Sequence, residues 1–143
     1  MNEKILIIDR EPDIVKNLNA LLTKEGYQVR SAPMGEAVMD IVKSEPFDLV
    51  IMDINMPGKD GLKIMRNIKK LDEEIEIIVL TGSATIDNAV QSMRSNGAFD
   101  FFTKPLGSLD KLLASIDQAL SRHRVNREKR ALLERLKRNS GKL

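Results

Sequence analysis

Along the first 121 residues, short apolar runs alternate with segments whose apolar residues recur every three or four positions. Each short run is bounded by polar or turn residues and therefore predicts a β-strand. The predicted strands lie near Lys4 to Ile8, Gln28 to Ser31, Leu49 to Met52, Glu76 to Leu80 and Phe99 to Phe102. Strict alternation of strand and helix predicts an α/β fold: a parallel sheet with helices on both faces and right-handed crossovers.

Five segments carry the apolar stripe of a helix that packs on such a sheet. The stripes are Ile14, Val15, Leu18, Leu21 and Leu22; Val38, Ile41 and Val42; Leu62, Ile64, Met65, Ile68 and Leu71; Ile86, Ala89, Val90 and Met93; and Leu109, Leu112, Leu113, Ile116 and Leu120. The fourth stripe is the weakest. Gly26 and Gly97 stand where each would end its helix in a left-handed conformation.

The last predicted helix has no internal stop signal, because neither Gly nor Pro occurs between Leu109 and Gly141. Beyond Leu120 the apolar residues thin to Val125 and then return at Leu132, Leu133 and Leu136. We therefore expect a continuous helix that leaves the globular part and presents a second, short apolar patch. The predicted organisation is a domain over residues 1–121 and a basic helical extension over residues 122–143.

Charge supports this division. The chain carries a net +2, but residues 122–143 contain nine Lys or Arg against Glu128 and Glu134, a local +7, which leaves −5 on residues 1–121. Three interpretations of the extension stay open: a linker or coiled-coil segment leading to an output domain, a solvated basic face, or a contact with nucleic acid or a membrane surface. The extension has no aromatic residue and is too short for a helix-turn-helix, which argues against sequence-specific DNA binding.

Composition narrows the class of protein further. The 143 residues suit one domain, and the absence of Cys excludes disulfides and thiolate metal sites. This cysteine usage fits a reducing compartment, and we expect a cytoplasmic protein. The longest apolar runs fall far short of the ~20 residues of a membrane span, so we expect a soluble chain that does not enter the membrane. His123, the only histidine, has no sequence neighbour that suggests catalysis or metal binding.

Polar residues follow the strands at the ends where a parallel sheet usually binds its ligands. Asp9-Arg-Glu11 follows the first strand, Asp53 the third, Thr81 the fourth and Lys104-Pro105 the fifth. Any one of these is commonly a helix cap or an ordinary loop residue. Four of them at one edge together indicate a functional site with three acids, a hydroxyl and an ammonium.

In this order and spacing, the motifs resemble those of a bacterial response-regulator receiver domain over residues 1–121. The matching segments are Ile-Leu-Ile-Ile-Asp9 with Glu11-Pro-Asp13, Asp48-Leu-Val-Ile-Met-Asp53-Ile-Asn-Met-Pro-Gly58, Leu80-Thr-Gly82, and Gly97-Ala-Phe-Asp-Phe-Phe-Thr-Lys104-Pro105. The resemblance implies a flavodoxin-like, five-stranded sheet of order 2-1-3-4-5 with five helices.

The same resemblance implies roles for the residues at the sheet edge. Asp53 would accept a phosphoryl group from a phosphohistidine on a sensor histidine kinase or phosphotransfer protein. Mg2+ would be held by acids after the first strand, by Asp53 and by the backbone carbonyl of Asn55, an oxygen-only set of the kind this ion prefers. Lys104, preceding a typically cis bond to Pro105, would pair with a phosphoryl oxygen, and the Thr81 hydroxyl would bond the new group.

One position departs from the family pattern. Most receivers have two adjacent acids after the first strand, but this chain has Asp9-Arg10, and the replaced position usually contacts the metal directly. Either Arg10 points away, leaving Asp9 and Glu11 to hold a weaker metal, or its guanidinium lies among the carboxylates and does part of the cation's work. The chain is accordingly a phosphorylation-dependent switch, or a degenerate receiver that keeps the fold as a phosphorylation-independent interaction module.

Switching in this family implies movement of Thr81 toward the phosphoryl group and rotation of an aromatic residue, here Phe101, into the vacated space. A second interpretation of Phe101 is that it is an ordinary core residue. Alternation along the strand favours Phe99 or Phe102 as core residues. The implied readout face comprises the fourth helix, fifth strand and fifth helix, where receivers commonly form homodimers.

Other enzyme classes fit less well. A haloacid-dehalogenase-like phosphatase also phosphorylates an Asp at a strand end, but it needs a second acid two residues later, where this chain has Asn55. The glycine patterns of dinucleotide-binding and P-loop proteins do not occur. We expect no turnover beyond self-phosphorylation and autodephosphorylation at Asp53.

Overall fold

A computed structural model describes residues 2–32, 37–55, 60–82 and 93–140. Its strands are β1 (Lys4–Ile8), β2 (Gln28–Ala32), β3 (Leu49–Asp53), β4 (Glu76–Thr81) and β5 (Asp100–Thr103). Its helices are α1 (Pro12–Lys24), α2 (Ala37–Ser44), α3 (Gly61–Leu71) and a C-terminal helix (Leu109–Ser140). All five predicted strands are confirmed, with ends that differ by no more than one residue.

The fourth predicted helix falls mostly outside the described residues. Ile86, Ala89 and Val90 belong to the part of the chain that is not described, whereas Met93 begins a helical turn over residues 93–95. Gly97 follows that turn with a φ of 102°, and Gly26 follows α1 with a φ of 96°. Both glycines therefore adopt the left-handed conformation predicted for them.

The sheet is parallel throughout and has the order β2-β1-β3-β4-β5. This is the flavodoxin-like order that the resemblance implies. Ile8 is paired with Met52, Asp53 with Leu80, and Thr81 with Thr103, so the carboxyl ends of β1, β3, β4 and β5 lie in register. Side chains that follow these strands are thereby brought to one edge of the sheet.

Two apolar layers hold the helices against the sheet. Leu6 and Ile8 face a cluster with residues of α2 and α3, whereas Ile5 and Ile7 face a cluster with residues of α1 and the C-terminal helix. Every residue of β3 and β4 is buried, because both central strands are covered on both faces. Each large aliphatic side chain buried in this way contributes roughly 1.5–3 kcal/mol.

The C-terminal helix is one unbroken element of 32 residues, roughly 48 Å long. Its first half buries Leu112, Ile116, Ala119 and Leu120 against the sheet. The predicted continuity of this helix is confirmed. No helix in the described parts of the chain combines the length and apolar character needed to cross a bilayer.

Basic residues just past Leu120 contact acids of the body. Arg122 binds Glu76, Arg124 Nη1 lies 2.6 Å from Glu3 Oε1, and Arg130 Nη1 lies 3.1 Å from Glu74 Oε1. The acids belong to the amino ends of β1 and β4, at the edge opposite the predicted site. The helix therefore stays attached to the body as far as residue 130, and part of its positive charge is matched there.

Gly61, the first residue of α3, packs closely against Ile54, the residue that follows β3. A Cβ added at Gly61 would lie 2.7 Å from Ile54 Cα and 2.8 Å from the Ile54 carbonyl oxygen, whereas one added at Gly82 would meet nothing within 4 Å. We expect Gly61→Ala to lower the free energy of unfolding by about 1–3 kcal/mol through overpacking. The control Gly82→Ala should change it by less than about 0.5 kcal/mol.

Urea unfolding followed by circular dichroism measures both variants. Equal stability of Gly61→Ala and the wild type would contradict the close packing of Ile54 on Gly61.

Candidate functional site

The carboxyl edge of the sheet brings together the predicted site residues. Asp9 follows β1, Asp53 ends β3, Thr81 ends β4, and Lys104 follows β5. Asp9, Asp53 and Thr81 are each buried, with 4%, 5% and 1% of their surface exposed. Ionised side chains buried to this degree need a compensating charge.

Lys104 supplies that charge. Its ammonium lies 2.7 Å from Asp9 Oδ2, 2.9 Å from Asp53 Oδ2 and 3.3 Å from Glu11 Oε1. Burial lowers the pKa of Lys104, but hydrogen bonds and charge from Asp9 and Asp53 outweigh burial and hold the pKa above its ordinary value. Lys104 is therefore a permanent cation at the centre of three acids. The Lys104–Pro105 bond is cis, as the resemblance implies.

Backbone amides orient the two buried carboxylates. The Glu11 amide donates to Asp9 Oδ1 at 2.9 Å, and the Asn55 amide donates to Asp53 Oδ1 at 2.8 Å. Each carboxylate thus presents one oxygen to its own loop and the other to Lys104. The acids are held in place before any ligand binds.

Thr81 is joined to the loop after β3. The Asn55 side-chain amide donates a hydrogen bond to Thr81 Oγ1. The Lys104 amide donates to the Thr81 carbonyl oxygen at 2.8 Å, and the Ile54 amide donates to the Leu80 carbonyl oxygen at 3.2 Å. These hydrogen bonds run between the ends of β3, β4 and β5. They connect Asp53, Thr81 and Lys104 through the backbones of three adjacent strands.

Arg10 lies outside this cluster. Its side chain is exposed, and it forms no ion pair with Asp9, Glu11 or Asp53, all of which the structure describes. The sequence allows the Arg10 guanidinium either to lie among the carboxylates or to point away from them. In the structure it points away. Lys104, rather than the guanidinium, is the cation among the carboxylates.

The acids are suited to a divalent metal. Asp9, Glu11 and Asp53 each offer a carboxylate oxygen, and these oxygens lie within 4.8 Å of one another. Oxygen-only ligands are what Mg2+ prefers. Glu11, whose side chain is 56% exposed, supplies the third acid that Arg10 does not. The residues present therefore fit a metal ion, with Lys104 as a neighbouring charge.

Phe101 lies in β5, partly buried, and packs against the cluster under α2 and α3. Phe99 and Phe102 pack, also partly buried, against the cluster under α1 and the C-terminal helix. Phe101 and Phe102 therefore lie on opposite sides of β5, as strand alternation requires, whereas Phe99 precedes the strand. The switching role of Phe101 stays a prediction.

Two polar contacts were not expected from the sequence. The Asn55 side chain donates a hydrogen bond to Thr81, whereas the family resemblance implies a role only for the Asn55 backbone carbonyl. His123 lies against Asp48 and Glu74, which are 75 and 49 residues away in the chain. No local motif signals contacts at such separations, because they arise only when the C-terminal helix packs across the sheet.

Comparison with known proteins agrees with this architecture. The family model described as response regulator receiver domain matches residues 5–117. Sporulation initiation phosphotransferase F of Bacillus subtilis is 38% identical over 120 residues, which cover 84% of this chain and 95% of that protein. The crystal structure of a response regulator receiver domain protein from Clostridium thermocellum has a TM-score of 0.76 and 34% identity, and the match covers 86% of this chain and 98% of that one.

Longer relatives match over only part of their length. Transcriptional regulatory protein ZraR of Klebsiella oxytoca is 34% identical over 122 residues, which cover 85% of this chain but 27% of that protein. The family match, the sheet order and the acid–lysine cluster agree with one another. The chain belongs to the response-regulator receiver domain family of two-component systems.

Proposed function

We propose that the chain is a phosphorylation-dependent signalling switch in which Asp53 accepts a phosphoryl group from a sensor histidine kinase or a phosphotransfer protein. The observation that carries this proposal is the position of Asp53, a buried carboxylate whose Oδ2 lies 2.9 Å from the Lys104 ammonium. A carboxylate is a usable nucleophile toward phosphorus when nearby cations neutralise the charge of the incoming group.

The transfer exchanges one bond for another. A carboxylate oxygen of Asp53 bonds to phosphorus while the phosphorus–nitrogen bond of the donor phosphohistidine breaks. The electron pair of the broken bond stays on that nitrogen, and the donor leaves as neutral imidazole with the proton on its other nitrogen. Lys104 neutralises the phosphoryl oxygens, and Thr81 supplies a hydroxyl to one of them.

Asp9, Glu11 and Asp53, with the Asn55 carbonyl, would hold Mg2+ at this edge. When bound, Mg2+ supplies positive charge to the phosphoryl oxygens and to the acids around them. The residues themselves already hold Asp53 in orientation, since its Oδ1 accepts the Asn55 amide.

Phosphorylation would change the balance of charge that holds the site together. The phosphoryl group brings roughly −2 charge and three acceptor oxygens to a place with three acids and one lysine. Lys104 and Thr81 would turn toward it, giving up contacts with Asp9 and Asn55. Phe101 would then move into the space beside Thr81 and alter the predicted readout face, of which β5 and the C-terminal helix are described.

An apolar groove beside the site would receive the donor. The groove, about 490 Å³ in volume, lies between α1 and the segment after β5, and its walls include Ile14, Leu18, Pro105 and Leu106. Pro105 follows Lys104 directly, so a helix seated in the groove could bring its histidine to Asp53. We place this exchange in the cytoplasm, where the absence of Cys suits the reducing conditions.

Intact mass spectrometry tests the central assignment. After incubation with a small-molecule phosphodonor such as acetyl phosphate and Mg2+, we expect the wild type to gain the mass of one phosphoryl group. Asp53→Asn should gain none, because an amide is not nucleophilic toward phosphorus. Asp13→Asn, which changes an exposed acid of α1, is the control and should be phosphorylated like the wild type.

If the wild type gains no phosphoryl group under any condition, or if Asp53→Asn still gains one, the switch assignment is wrong. The first result would leave the phosphorylation-independent interaction module as the function of this fold.

Arg10 provides a second prediction. Arg10→Asp removes a positive charge and adds a carboxylate beside Asp9, so we expect Mg2+ to bind about tenfold more tightly or better. Isothermal titration calorimetry measures the affinity. Lys16→Asp is the matched control, because it makes the same charge change at an exposed position of α1. Equal effects of the two substitutions would show that Arg10 acts only through general charge.

The far end of the C-terminal helix is proposed to form a parallel homodimer with a second copy. Val125, Leu132, Leu133 and Leu136 are 57%, 53%, 54% and 52% exposed. At 3.6 residues per turn, all but Leu133 lie on the face opposite His123, which packs on the body. The chain's own body therefore leaves this stripe open, and a second copy of the helix would cover it.

The charged residues next to the apolar stripe are compatible with a second copy of the helix as its partner. Lys129 lies between the apolar positions of the stripe, and Glu128 lies next to Lys129 at the edge of the stripe. In paired parallel copies, Lys129 of one helix would therefore lie beside Glu128 of the other. In such an arrangement the helix would serve as a linker that carries an output domain. The proposal is supported by the greater length of relatives such as ZraR, of which this chain spans 27%.

Analytical ultracentrifugation tests the dimer. We expect a dimer fraction that grows with protein concentration and that the double variant Leu132→Lys with Leu136→Lys abolishes. Leu71→Lys, at a similarly exposed leucine of α3, should leave the dimer unchanged. A wild type that is monomeric at all concentrations, or a double variant that still dimerises, would contradict the proposal.

A further inference from the structure

His123 occupies the edge of the sheet opposite Asp53. It is the only histidine of the chain and is 2% exposed, on the inward face of the C-terminal helix. Its Nδ1 lies 2.7 Å from the Glu74 backbone carbonyl oxygen, and its Nε2 lies 2.7 Å from Asp48 Oδ1. Asp48 precedes β3 and Glu74 precedes β4, so the ring joins the helix to two central strands.

Both neighbours of the ring are acceptors. A carbonyl oxygen can only accept a hydrogen bond, and an ionised carboxylate likewise only accepts. Neutral imidazole carries one N–H, so it can satisfy one of the two partners, whereas imidazolium carries two and satisfies both. Nδ1 is hydrogen-bonded to the Glu74 carbonyl oxygen and therefore carries a proton. Nε2 lies at ion-pair distance from the Asp48 carboxylate, where an unprotonated nitrogen would set its lone pair against a carboxylate oxygen. The two contacts together favour His123 as an imidazolium.

The pKa shifts agree with this geometry. Burial lowers the pKa of His123, but the hydrogen bonds to Asp48 and to the Glu74 carbonyl outweigh burial and raise it above its ordinary value. Burial raises the pKa of Asp48, but the hydrogen bonds from His123 and from the Lys4 amide outweigh burial and lower it. Each shift is the one expected for a formed ion pair.

The other charged groups around His123 are acids that precede or begin the strands and arginines of the C-terminal helix. Asp48 Oδ2 accepts from the Lys4 amide at 2.7 Å. On the helix, Arg127 lies 3.6 Å from both Asp72 and Glu74, and Arg130 lies 3.1 Å from Glu74. Arg122 pairs with Glu76 beside them. Imidazole is the side-chain type in this group whose ordinary pKa lies near neutral pH, which singles out the contact through His123.

We propose that His123 is a proton-operated latch, which fastens the C-terminal helix to the amino edge of β3 and β4 and loosens residues 122–140 when it loses its proton. The latch is independent of Asp53, because it lies at the opposite edge of the sheet and uses none of the residues of that site. The latch would control how rigidly the exposed stripe of Val125, Leu132 and Leu136 is held relative to the body.

The direction of the pH effect follows from the two shifts. A histidine whose pKa is raised in the folded state stabilises that state fully below its unfolded pKa, about 6.5, and this contribution is lost as pH rises through the folded pKa. Asp48, with a lowered pKa, contributes above its ordinary value of 3.8 and ceases to do so as pH falls through its folded pKa. The latch is therefore closed in mildly acidic solution and loosens on the alkaline side.

NMR titration tests the protonation directly. Because the chain has one histidine, its ring Cε1–H resonance is assigned without mutagenesis. We expect a midpoint above about 6.5 in the folded protein, a return to about 6.5 in urea, and a lower folded midpoint in Asp48→Asn. Asp40→Asn, at an exposed acid of α2, is the matched control and should titrate like the wild type.

Hydrogen exchange tests whether the proton holds the helix. After correction for the intrinsic exchange rate, opening of residues 122–131 should increase by up to about tenfold per pH unit between the unfolded and folded pKa values of His123, while residues 109–120 stay protected. His123→Gln should open these residues already at about pH 6 and show no such pH dependence. Asp48→Asn provides a second variant that keeps the ring.

A folded His123 that titrates at or below about 6.5 would overturn the proposal. So would exchange of residues 122–131 that has the same pH dependence in His123→Gln as in the wild type. Neither result bears on phosphorylation of Asp53, which is read by mass.

Discussion

The ion pairs of Lys104 with Asp9 and Asp53 are the interaction on which the carboxyl edge of this protein depends. Two carboxylates buried side by side would repel each other, and leaving a buried charge uncompensated costs several kcal/mol. The ammonium, 2.7 and 2.9 Å from the two acids, removes that cost and draws the ends of β1, β3 and β5 together. The Asp53 carboxylate, the Thr81 hydroxyl and a set of carboxylate oxygens suited to a metal can then share one rim without an additional ligand.

At the opposite edge of the sheet, acids are again paired with basic side chains, here those of the C-terminal helix. Acids at the amino ends of the strands meet arginines and the histidine of the C-terminal helix, which accounts for part of the division between an acidic body and a basic extension. One edge thus carries the proposed phosphoryl-accepting site, and the other holds the C-terminal helix. A parallel sheet makes this division possible, because all strands begin at one edge and end at the other.

The sequence predicts the strands well because β3 and β4 are apolar along their whole length and are bounded by turn residues. It also predicts which site residues meet, since Asp53 and Lys104 end or follow strands of a parallel sheet. It does not predict the direction of Arg10 or the partners of His123. Both depend on how side chains and a distant helix pack in three dimensions, and neither leaves a local pattern in the chain.

The most direct measurement of the central claim is a crystal structure with Mg2+ and beryllium fluoride, a mimic of the phosphoryl group. We expect a trifluoroberyllate on the Asp53 carboxylate, with the Lys104 ammonium and the Thr81 hydroxyl turned toward its fluorines and Arg10 still outside the site. A structure in which Asp53 stays unmodified at saturating fluoride, with Lys104 still paired to Asp9 and Asp53, would contradict the claim that this edge is built to accept a phosphoryl group.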